Sequence, residues 1–295
     1  MNLFKEFVSK LVDNGYSLRS IRIIGAEKEL RNKLARISIS RFCKTMGINR
    51  GSFYQMIQGK RAIPLDVLLK LNLQTNNFRF IIKNSNVPIK IPIQLSPELS
   101  YLVGLLRDGT VVNEKNNEYT IAFYSKFKEA LEYPKKLLEK IFKIKVKIKR
   151  FGDVWGIRIR SLTLYLFFKL MFQVPQNQSV WNTPELIKMG DSEVVKAYIS
   201  GFWDAEGSCP QFKDKVVIPK ENISIGFSQK NKESLQFIKE FLEKNGIATT
   251  EIYWNERKWV LKIRRQSFLD FIDFIQPHNP IKLMRLQKVR KIFSL

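Results

Sequence analysis

The sequence predicts an α+β protein in which two pseudo-symmetric units follow a small all-α unit. A nine-residue motif that ends in an acidic residue and a glycine occurs at 101–109 and again at 199–207. After each motif come stretches in which apolar residues alternate with lysines and arginines, a pattern typical of strands, and stretches with helical spacing. Each unit therefore has the predicted order αββαββα, with the motif in its first helix.

The composition favours a polyanionic partner. The chain of 295 residues carries 51 Lys and Arg against 27 Asp and Glu, a net charge of +24. Such a surplus is typical of proteins that bind nucleic acid or an anionic membrane surface. No apolar run is long enough to span a bilayer, and the first residues do not open a signal peptide. We therefore expect a nucleic-acid-binding protein in the cytoplasm, associated with the nucleoid.

The scarcity of histidine and cysteine excludes several kinds of site. Two cysteines, Cys43 and Cys209, provide neither a disulfide framework nor a zinc site, which fits a reducing compartment. One histidine, His278, is too few for a histidine-based triad or a zinc centre. Any hydrolytic chemistry is therefore expected to use carboxylates and hard cations.

The first unit, residues 1–83, contains a pattern that predicts a helix-turn-helix. A helix through Thr45 precedes a turn at Gly47, and Asn49 is suited to cap a second helix that Gly59 ends. This segment resembles the lambda-repressor-like helix-turn-helix family, which implies base contacts from the second helix and phosphate contacts after it. A small helical bundle without base readout is the alternative. The resemblance assigns Arg50, Tyr54 and Gln55 to the major groove and Lys60 and Arg61 to phosphates.

The next residues predict a linker and then the start of the first repeat. Residues 84–95 contain two prolines and no helical period. Ser96 is a suitable helix N-cap, and Pro97 fits the first helical position. We assign the two repeats to residues 96–190 and 191–295.

A constant register relates the two repeats. An offset of 104 pairs Trp155 with Trp259 and many apolar positions around them, whereas the motif carboxylates at 108 and 206 are 98 positions apart. The difference of six positions fits a longer loop in the second repeat, around 208–222. A register sustained over this length indicates duplication of one unit.

Basic residues share one face of the predicted strands, at 143–149, 156–160 and 260–264. Alternation with a period of two places the apolar side chains on the core face and the cations on the other face. Like charges on neighbouring strands repel, so a polyphosphate against this face explains it better than solvation alone. The cations predicted to contact nucleic acid are Lys145, Lys147, Lys149, Arg158, Arg160, Lys262 and Arg264.

Each motif predicts a helix that ends on a carboxylate. Glu206 ends the second motif helix, where the last carbonyl groups and the negative end of the helix dipole favour a nearby cation. Asp108 holds the matching position in the first motif. A carboxylate at such a place is best explained as a metal ligand.

These motifs, the repeats and the basic strands make residues 95–295 resemble the single-chain, two-repeat LAGLIDADG homing endonucleases. The resemblance implies that the motif helices pack together at the centre and that two sheets form a saddle over double-stranded DNA. It implies a monomer in which Asp108 and Glu206 bind Mg²⁺ or Mn²⁺. The reaction would hydrolyse one phosphodiester on each strand of a specific site, leaving 5′ phosphates and short 3′ overhangs.

The same resemblance places a basic residue near each metal position. In the second repeat Lys282 stands where this residue is expected. The equivalent stretch of the first repeat offers Gln178, which can orient a water but cannot act as a cation. These assignments predict unequal cutting in the two half-sites.

The first motif departs from the second in two respects. Gly104 lies four residues before its carboxylate, whereas Gly201 lies five residues before its own. We therefore expect an asymmetric helix contact, or one in which Val103 meets Gly201. Arg107, directly before the first carboxylate, is expected to bind phosphate or to weaken the metal site.

Two other functions remain open. One is a DNA-binding regulator on an inactive scaffold, which the helix-turn-helix pattern favours. The other is an RNA maturase, because RNA is a possible partner of the same scaffold. Retention of both motif carboxylates favours DNA cleavage.

Overall fold

The N-terminal unit packs helices on an antiparallel sheet. The computed structural model describes residues 2–35, 37–73, 78–82, 87–114, 118–212 and 218–294. The helices of this unit are α1 (Leu3–Asp13), α2 (Glu27–Leu34), α3 (Ile39–Met46), α4 (Arg50–Ile57) and α5 (Leu65–Lys70). Its strands are β1 (Ile21–Ile24), β2 (Ile63–Pro64), β3 (Arg79–Ile82) and β4 (Ile89–Lys90).

The prediction that this unit is all-α is wrong, because its four strands form one sheet of order β2-β1-β3-β4. The strands are two to four residues long, and runs this short carry too little periodicity to be recognised as strands. Strand β4 lies in the segment predicted as a linker, where it pairs with β3. Ile89 and Ile91 of this segment are buried, so these residues belong to the core.

Helices α3 and α4 have the expected boundaries. Gly47 ends α3 in the left-handed conformation, with φ of 59°. The side chain of Asn49 caps α4 by accepting hydrogen bonds from the amide nitrogens of Gly51 and Ser52. Phe53 is fully buried, so the opposite face of α4 is directed to solvent.

Each repeat has the predicted order of elements, and the second repeat continues with one further helix. In the first repeat these are α6 (Pro97–Leu105) with a 3₁₀ turn (Leu106–Asp108), β5 (Thr110–Glu114), β6 (Glu118–Ser125), α7 (Glu132–Phe142), β7 (Ile148–Phe151), β8 (Val154–Arg160) and α8 (Leu162–Phe172). The short α9 (Glu185–Lys188) leads to the second repeat. That repeat consists of α10 (Ser192–Glu206), β9 (Gly207–Ser208), β10 (Gly226–Gln229), α11 (Lys232–Lys244), β11 (Tyr253–Asn255), β12 (Lys258–Lys262), α12 (Phe268–Ile275) and α13 (Pro280–Phe293).

The strand registers show that the repeats are equivalent. The sheets have the matching orders β5-β6-β8-β7 and β9-β10-β12-β11. Phe123 pairs with Ile157 in the first sheet, and Phe227 pairs with Leu261 in the second. Both members of the pair shift by 104 positions, which confirms the register read from the sequence.

The extra residues of the second repeat lie between its first two strands. Thr110 pairs with Ala122, and at the equivalent place Ser208 pairs with Gly226. Ser208 lies 98 positions after Thr110, whereas Gly226 lies 104 positions after Ala122. The six additional residues therefore lie between Ser208 and Gly226, as expected.

One predicted strand is shorter than expected. Lys143 caps α7 in the left-handed conformation, with φ of 54°, and β7 begins only at Ile148. Ile144 and Val146 are nevertheless buried, and the lysines between them are exposed. Buried and exposed side chains thus alternate in this segment, although it forms no strand-to-strand hydrogen bonds before Ile148. Among the residues described, no helix combines the length and the apolar character that crossing a bilayer requires.

Candidate active site

The two motif helices, α6 and α10, pack against each other through their glycines. A methyl group added at Gly104 would overlap the carbonyl oxygen of Tyr198, and one added at Gly201 would overlap that of Tyr101. Each overlapped carbonyl lies three residues before the partner glycine, so the contact is symmetric. The expected asymmetric contact, with Val103 as an alternative, is therefore wrong.

Helix geometry explains why this symmetry survives unequal spacing. Helix α10 remains α-helical to Glu206, five residues after Gly201, a rise of about 7.5 Å. Helix α6 ends one residue after Gly104 and continues as the 3₁₀ turn to Asp108. Because a 3₁₀ turn rises about 2 Å per residue instead of about 1.5 Å, Asp108 also lies about 7.5 Å beyond its glycine. By this ideal geometry the tighter turn compensates for the missing residue, and we expect the two carboxylates at about the same distance along their helices.

Asp108 and Glu206 are electrostatically coupled. Glu206 is half-buried, whereas Asp108 is exposed and lines the cavity of the site. Removal from water raises the pKa of Asp108 above its ordinary value. The pKa of Glu206 rises to about 7, first through burial and then through the negative charge of Asp108. Such a pair retains a proton near neutral pH unless a cation replaces it.

Lys282 lies at the C-terminal end of α10, close to both carboxylates. Its ammonium donates hydrogen bonds to the carbonyl oxygens of Trp203 at 2.7 Å and of Gly207 at 2.8 Å. Burial lowers the pKa of Lys282, and the nearby carboxylates oppose that change. A cation in this position stabilises the last carbonyl groups of the helix and lowers the pKa of both carboxylates.

Asp204, which sequence analysis did not single out, determines where Lys282 lies. It is 5% exposed, and its Oδ2 accepts hydrogen bonds from the hydroxyl of Tyr101 at 2.8 Å and from the amide nitrogens of His278 and Asn279 at 2.7 and 3.1 Å. Asn279 is the N-cap of α13, whose first turn carries Lys282. The signal in the sequence was an acidic residue inside an otherwise apolar motif helix.

Arg107 is anchored in the protein interior. It is 1% exposed, and its guanidinium lies 4.0 Å from the centre of the Trp181 ring. It donates hydrogen bonds to the carbonyl oxygens of Trp181 and Asn182 and to the hydroxyl of Tyr198. The expected phosphate contact is therefore wrong, although the positive charge of Arg107 does lower the pKa of Glu206.

Arg107 and Asp204 hold equivalent positions in the two repeats. Arg107 donates to carbonyl groups 74 and 75 residues later, and Asp204 accepts from amide groups 74 and 75 residues later. Each also forms a hydrogen bond with a tyrosine of the opposite motif helix, Tyr198 or Tyr101. In both repeats a charged side chain thus links the motif helix to a later segment, but Arg107 is a cation that donates and Asp204 is an anion that accepts. The two halves of the site are therefore electrostatically different.

This equivalence also bears on Gln178. Trp181, which contacts Arg107, is the counterpart of His278, which contacts Asp204. Gln178 lies three residues before Trp181, whereas Lys282 lies four residues after His278. The two positions are therefore not structural equivalents. The side chain of Gln178 lies outside the described residues, and its role stays a prediction.

A second cation lies on the side of the first repeat. A cavity of about 240 Å³ is lined by Asp108, Ser125, Lys126 and Lys282. Sequence analysis did not assign Lys126 to the site, although the offset of 104 pairs it with Lys230 and could have identified it. Lysines from both repeats therefore line the cavity that contains Asp108.

The strand cations lie at the surface of both sheets. Arg160 forms an ion pair with Glu118 at 2.8 Å, and Arg264 donates to the carbonyl oxygen of Thr249 at 2.7 Å. A cavity of about 510 Å³ is lined by the five cations of the first repeat. The exposed members of the set are Lys145, Lys147, Lys149, Arg160, Lys262 and Arg264, and Arg158 is half-buried.

The N-terminal residues predicted to contact DNA are all exposed. Arg50 forms a hydrogen bond with the hydroxyl of Ser40 on α3, and Arg61 donates to the hydroxyl of Ser52 at 2.9 Å. These contacts hold both arginines beside α4. The exposed set consists of Arg50, Tyr54, Gln55, Lys60 and Arg61.

The carboxylate pair fits a divalent cation shared with a substrate. Among the described residues, no group of three or more histidine, cysteine or acidic side chains is placed to hold a metal. Magnesium is typically bound by one or two carboxylates, with phosphate oxygens and water completing its octahedron. Two carboxylates with raised pKa at adjacent helix ends therefore supply the protein's share of such a site.

The chain is similar to known proteins in sequence and in structure. Residues 193–276 match the model of the LAGLIDADG-like domain. The chain is 31% identical over 206 residues to the homing endonuclease I-ApeI of Aeropyrum pernix, covering 64% of this chain and 86% of that protein. It is 28% identical over 187 residues to an uncharacterized protein of Methanocaldococcus jannaschii, covering 60% of this chain and 64% of the other. The crystal structure of I-DmoI in complex with DNA and Mn has a TM-score of 0.47 and 21% identity, covering 62% of this chain and 97% of that one.

Proposed function

The chain belongs to the LAGLIDADG family of homing endonucleases, and we propose that it hydrolyses both strands of one double-stranded DNA site with Mg²⁺ or Mn²⁺. The observation that supports this proposal is the pair of carboxylates, Asp108 and Glu206, at the ends of two motif helices that pack through their glycines. Because one chain supplies both carboxylates, it acts as a monomer. Its substrate places it with chromosomal DNA in the cytoplasm.

The protein's own groups prepare the site for the reaction. A bound divalent cation supplies a water of lowered pKa and neutralises charge on the leaving 3′ oxygen. Asp108 and Glu206 would hold the cation in their ionised form, which for Glu206 would require loss of the proton that its raised pKa favours. Lys282, held by the carbonyl groups at the end of α10, adds positive charge where the scissile phosphate enters. Lys126 has the corresponding task on the first-repeat side.

Two surfaces contact the DNA. The basic faces of the sheets, represented by Lys147 and Lys262, lie against the phosphate backbone and base edges of the central site. Helix α4 reads bases in the major groove with Arg50, Tyr54 and Gln55, and Lys60 and Arg61 contact phosphates after it. Support for this second contact comes from the exposed cations of α4 and from its helix-turn-helix boundaries.

Cleavage of a library of DNA sites tests the proposal. The purified protein with Mg²⁺ should linearise plasmids that contain few, specific sites, and EDTA should abolish cutting without abolishing binding. Glu206→Gln and Asp108→Asn should bind the selected site and leave it intact, whereas the exposed control Glu240→Gln should cut normally. Unchanged cutting by Glu206→Gln would remove the catalytic assignment, and specific binding without cutting at any site would favour a regulator.

A further inference from the structure

The N-terminal unit shares a continuous core with the first repeat. The rings of Phe7 on α1 and Phe167 on α8 are in edge contact at 5.5 Å, and both side chains are buried. The amide of Ile82 on β3 donates to the hydroxyl of Thr163 on α8 at 3.0 Å in the buried interface. Burial of this kind and a buried hydrogen bond oppose free rotation of one unit against the other. Helix α4 therefore has one orientation relative to the sheet of the first repeat.

The position of this interface along the sheet is also defined. Strand β6 (Glu118–Ser125) has Tyr119 near its first end, and at its other end Ser125 lines the cavity beside Asp108. The amide of Ser161 donates to the carbonyl oxygen of Tyr119, and the hydroxyl of Ser161 donates to the carbonyl oxygen of Val87, just before β4. The N-terminal unit thus docks at the end of β6 remote from the carboxylates. Six residues of strand separate the two ends by about 20 Å.

The basic surface of the first sheet reaches this interface. Val87, from the segment that leads into the first repeat, lines the same 510 Å³ cavity as Lys147, Arg158 and Arg160. Arg160 lies opposite Thr120, at the remote end of the sheet. A duplex that follows these cations outward from the carboxylates therefore reaches the N-terminal unit without leaving positively charged surface.

The second repeat has a different neighbour at the equivalent place. The counterpart of Ser161, at the offset of 104, is Arg265, whose guanidinium donates to the carbonyl oxygen of Glu221 in the repeat's own loop. The N-terminal unit occupies this position on the first repeat alone. The protein is thus extended on one side of its pseudo-twofold axis.

From this placement we propose that α4 reads the same DNA duplex that the active site cuts, on the outer flank of the first-repeat half-site. The proposal rests on the endonuclease function and goes beyond it, because it makes the recognised sequence asymmetric. A strand length of about 20 Å corresponds to about six base pairs. The α4 contact therefore begins more than about six base pairs from the centre of cleavage, on one side, and α4 does not serve a separate operator.

Footprinting on the selected cleavage site tests the placement. Hydroxyl-radical footprints of the full-length protein with Ca²⁺ in place of Mg²⁺ should extend further from the cut on one side than on the other. Arg50→Ala should shorten the longer side only, and it should weaken binding about tenfold, the usual effect of losing one base contact. Arg31→Ala removes an equal charge from an exposed position on α2 and serves as the matched control.

Randomised flanks provide the decisive comparison. Replacing the outer base pairs of the longer side should weaken wild-type binding about tenfold and leave Arg50→Ala unaffected, because one interaction cannot be lost twice. A footprint of equal length on both sides, or an Arg50→Ala affinity equal to that of Arg31→Ala, would overturn the inference while specific cutting still supports the endonuclease. Absence of specific cutting by the wild type would instead refute the proposed function.

Discussion

Replacing Glu206 by glutamine is expected to raise the stability of the metal-free protein at pH 8. The same substitution is expected to abolish DNA cleavage. The carboxylate has a pKa of about 7 in the folded protein against an ordinary value of 4.5 because of burial and the charge of Asp108. This difference corresponds to about 3 kcal/mol of destabilisation when Glu206 is ionised. A neutral amide of nearly the same size avoids that cost. The ionised carboxylate therefore lowers the stability of the metal-free protein.

The sign of the effect depends on pH. Since the folded-state pKa of Glu206 is raised, the folded protein binds more protons than the unfolded chain between about pH 4.5 and 7. Wild-type stability therefore falls as the pH rises through this window and levels off above it. The advantage of Glu206→Gln should be complete at pH 8 and absent near pH 4.5.

Thermal unfolding in EDTA at several pH values measures this difference. For a chain of this size, about 3 kcal/mol corresponds to a rise of about 5 °C in the midpoint at pH 8. Adding Mg²⁺ should raise the wild-type midpoint and narrow the gap, because a ligand that binds only the folded state stabilises it. Cleavage of the target plasmid by the same samples reports the loss of function.

Glu240→Gln provides the control, since Glu240 is exposed on α11. It should change stability by less than about 0.5 kcal/mol at every pH. If Glu206→Gln and the wild type unfold at the same temperature at pH 8 in EDTA, the carboxylate is not destabilised by its surroundings. A gap of the same size at pH 4.5 and pH 8 would likewise contradict the reasoning.

Three further substitutions test other parts of the site. Gly201→Ala should lower the free energy of unfolding by about 3 kcal/mol, because its methyl group would overlap the backbone of α6. A urea midpoint equal to that of the wild type would show that the two helices are not in close contact. Lys282→Met should slow cleavage by about 100-fold and lower the thermal unfolding midpoint in EDTA at pH 8, since both carboxylates lose a neighbouring cation. Unchanged single-turnover rates would exclude Lys282 from the reaction. Asp204→Asn should slow cleavage about tenfold and shift its pH profile through displacement of α13, and a normal profile would limit Asp204 to a role in folding.

Much of the fold and the two carboxylates followed from local patterns. The period of the apolar residues, the N-caps and the motif at 199–207 specify the helices and the long strands of the repeats, because these depend on neighbours in the chain. The duplication followed from the register alone and is present in the strand pairing. Short strands such as β1 and β2 could not be predicted in this way, because they are stabilised by partners remote in sequence: Ile23 pairs with Ile63 and with Phe80.

The electrostatic character of the site was decided by the tertiary structure. The sequence by itself determined that Asp108 and Glu206 end two related helices, since the motif and its spacing are local features. Only packing determined that a 3₁₀ turn compensates for the missing residue and that Arg107 is buried where its counterpart Asp204 carries the opposite charge. Burial and the charges of neighbours set a pKa, and these neighbours lie about 75 to 100 residues away in the chain. Sequence order does not contain that proximity, whereas the packed helices do.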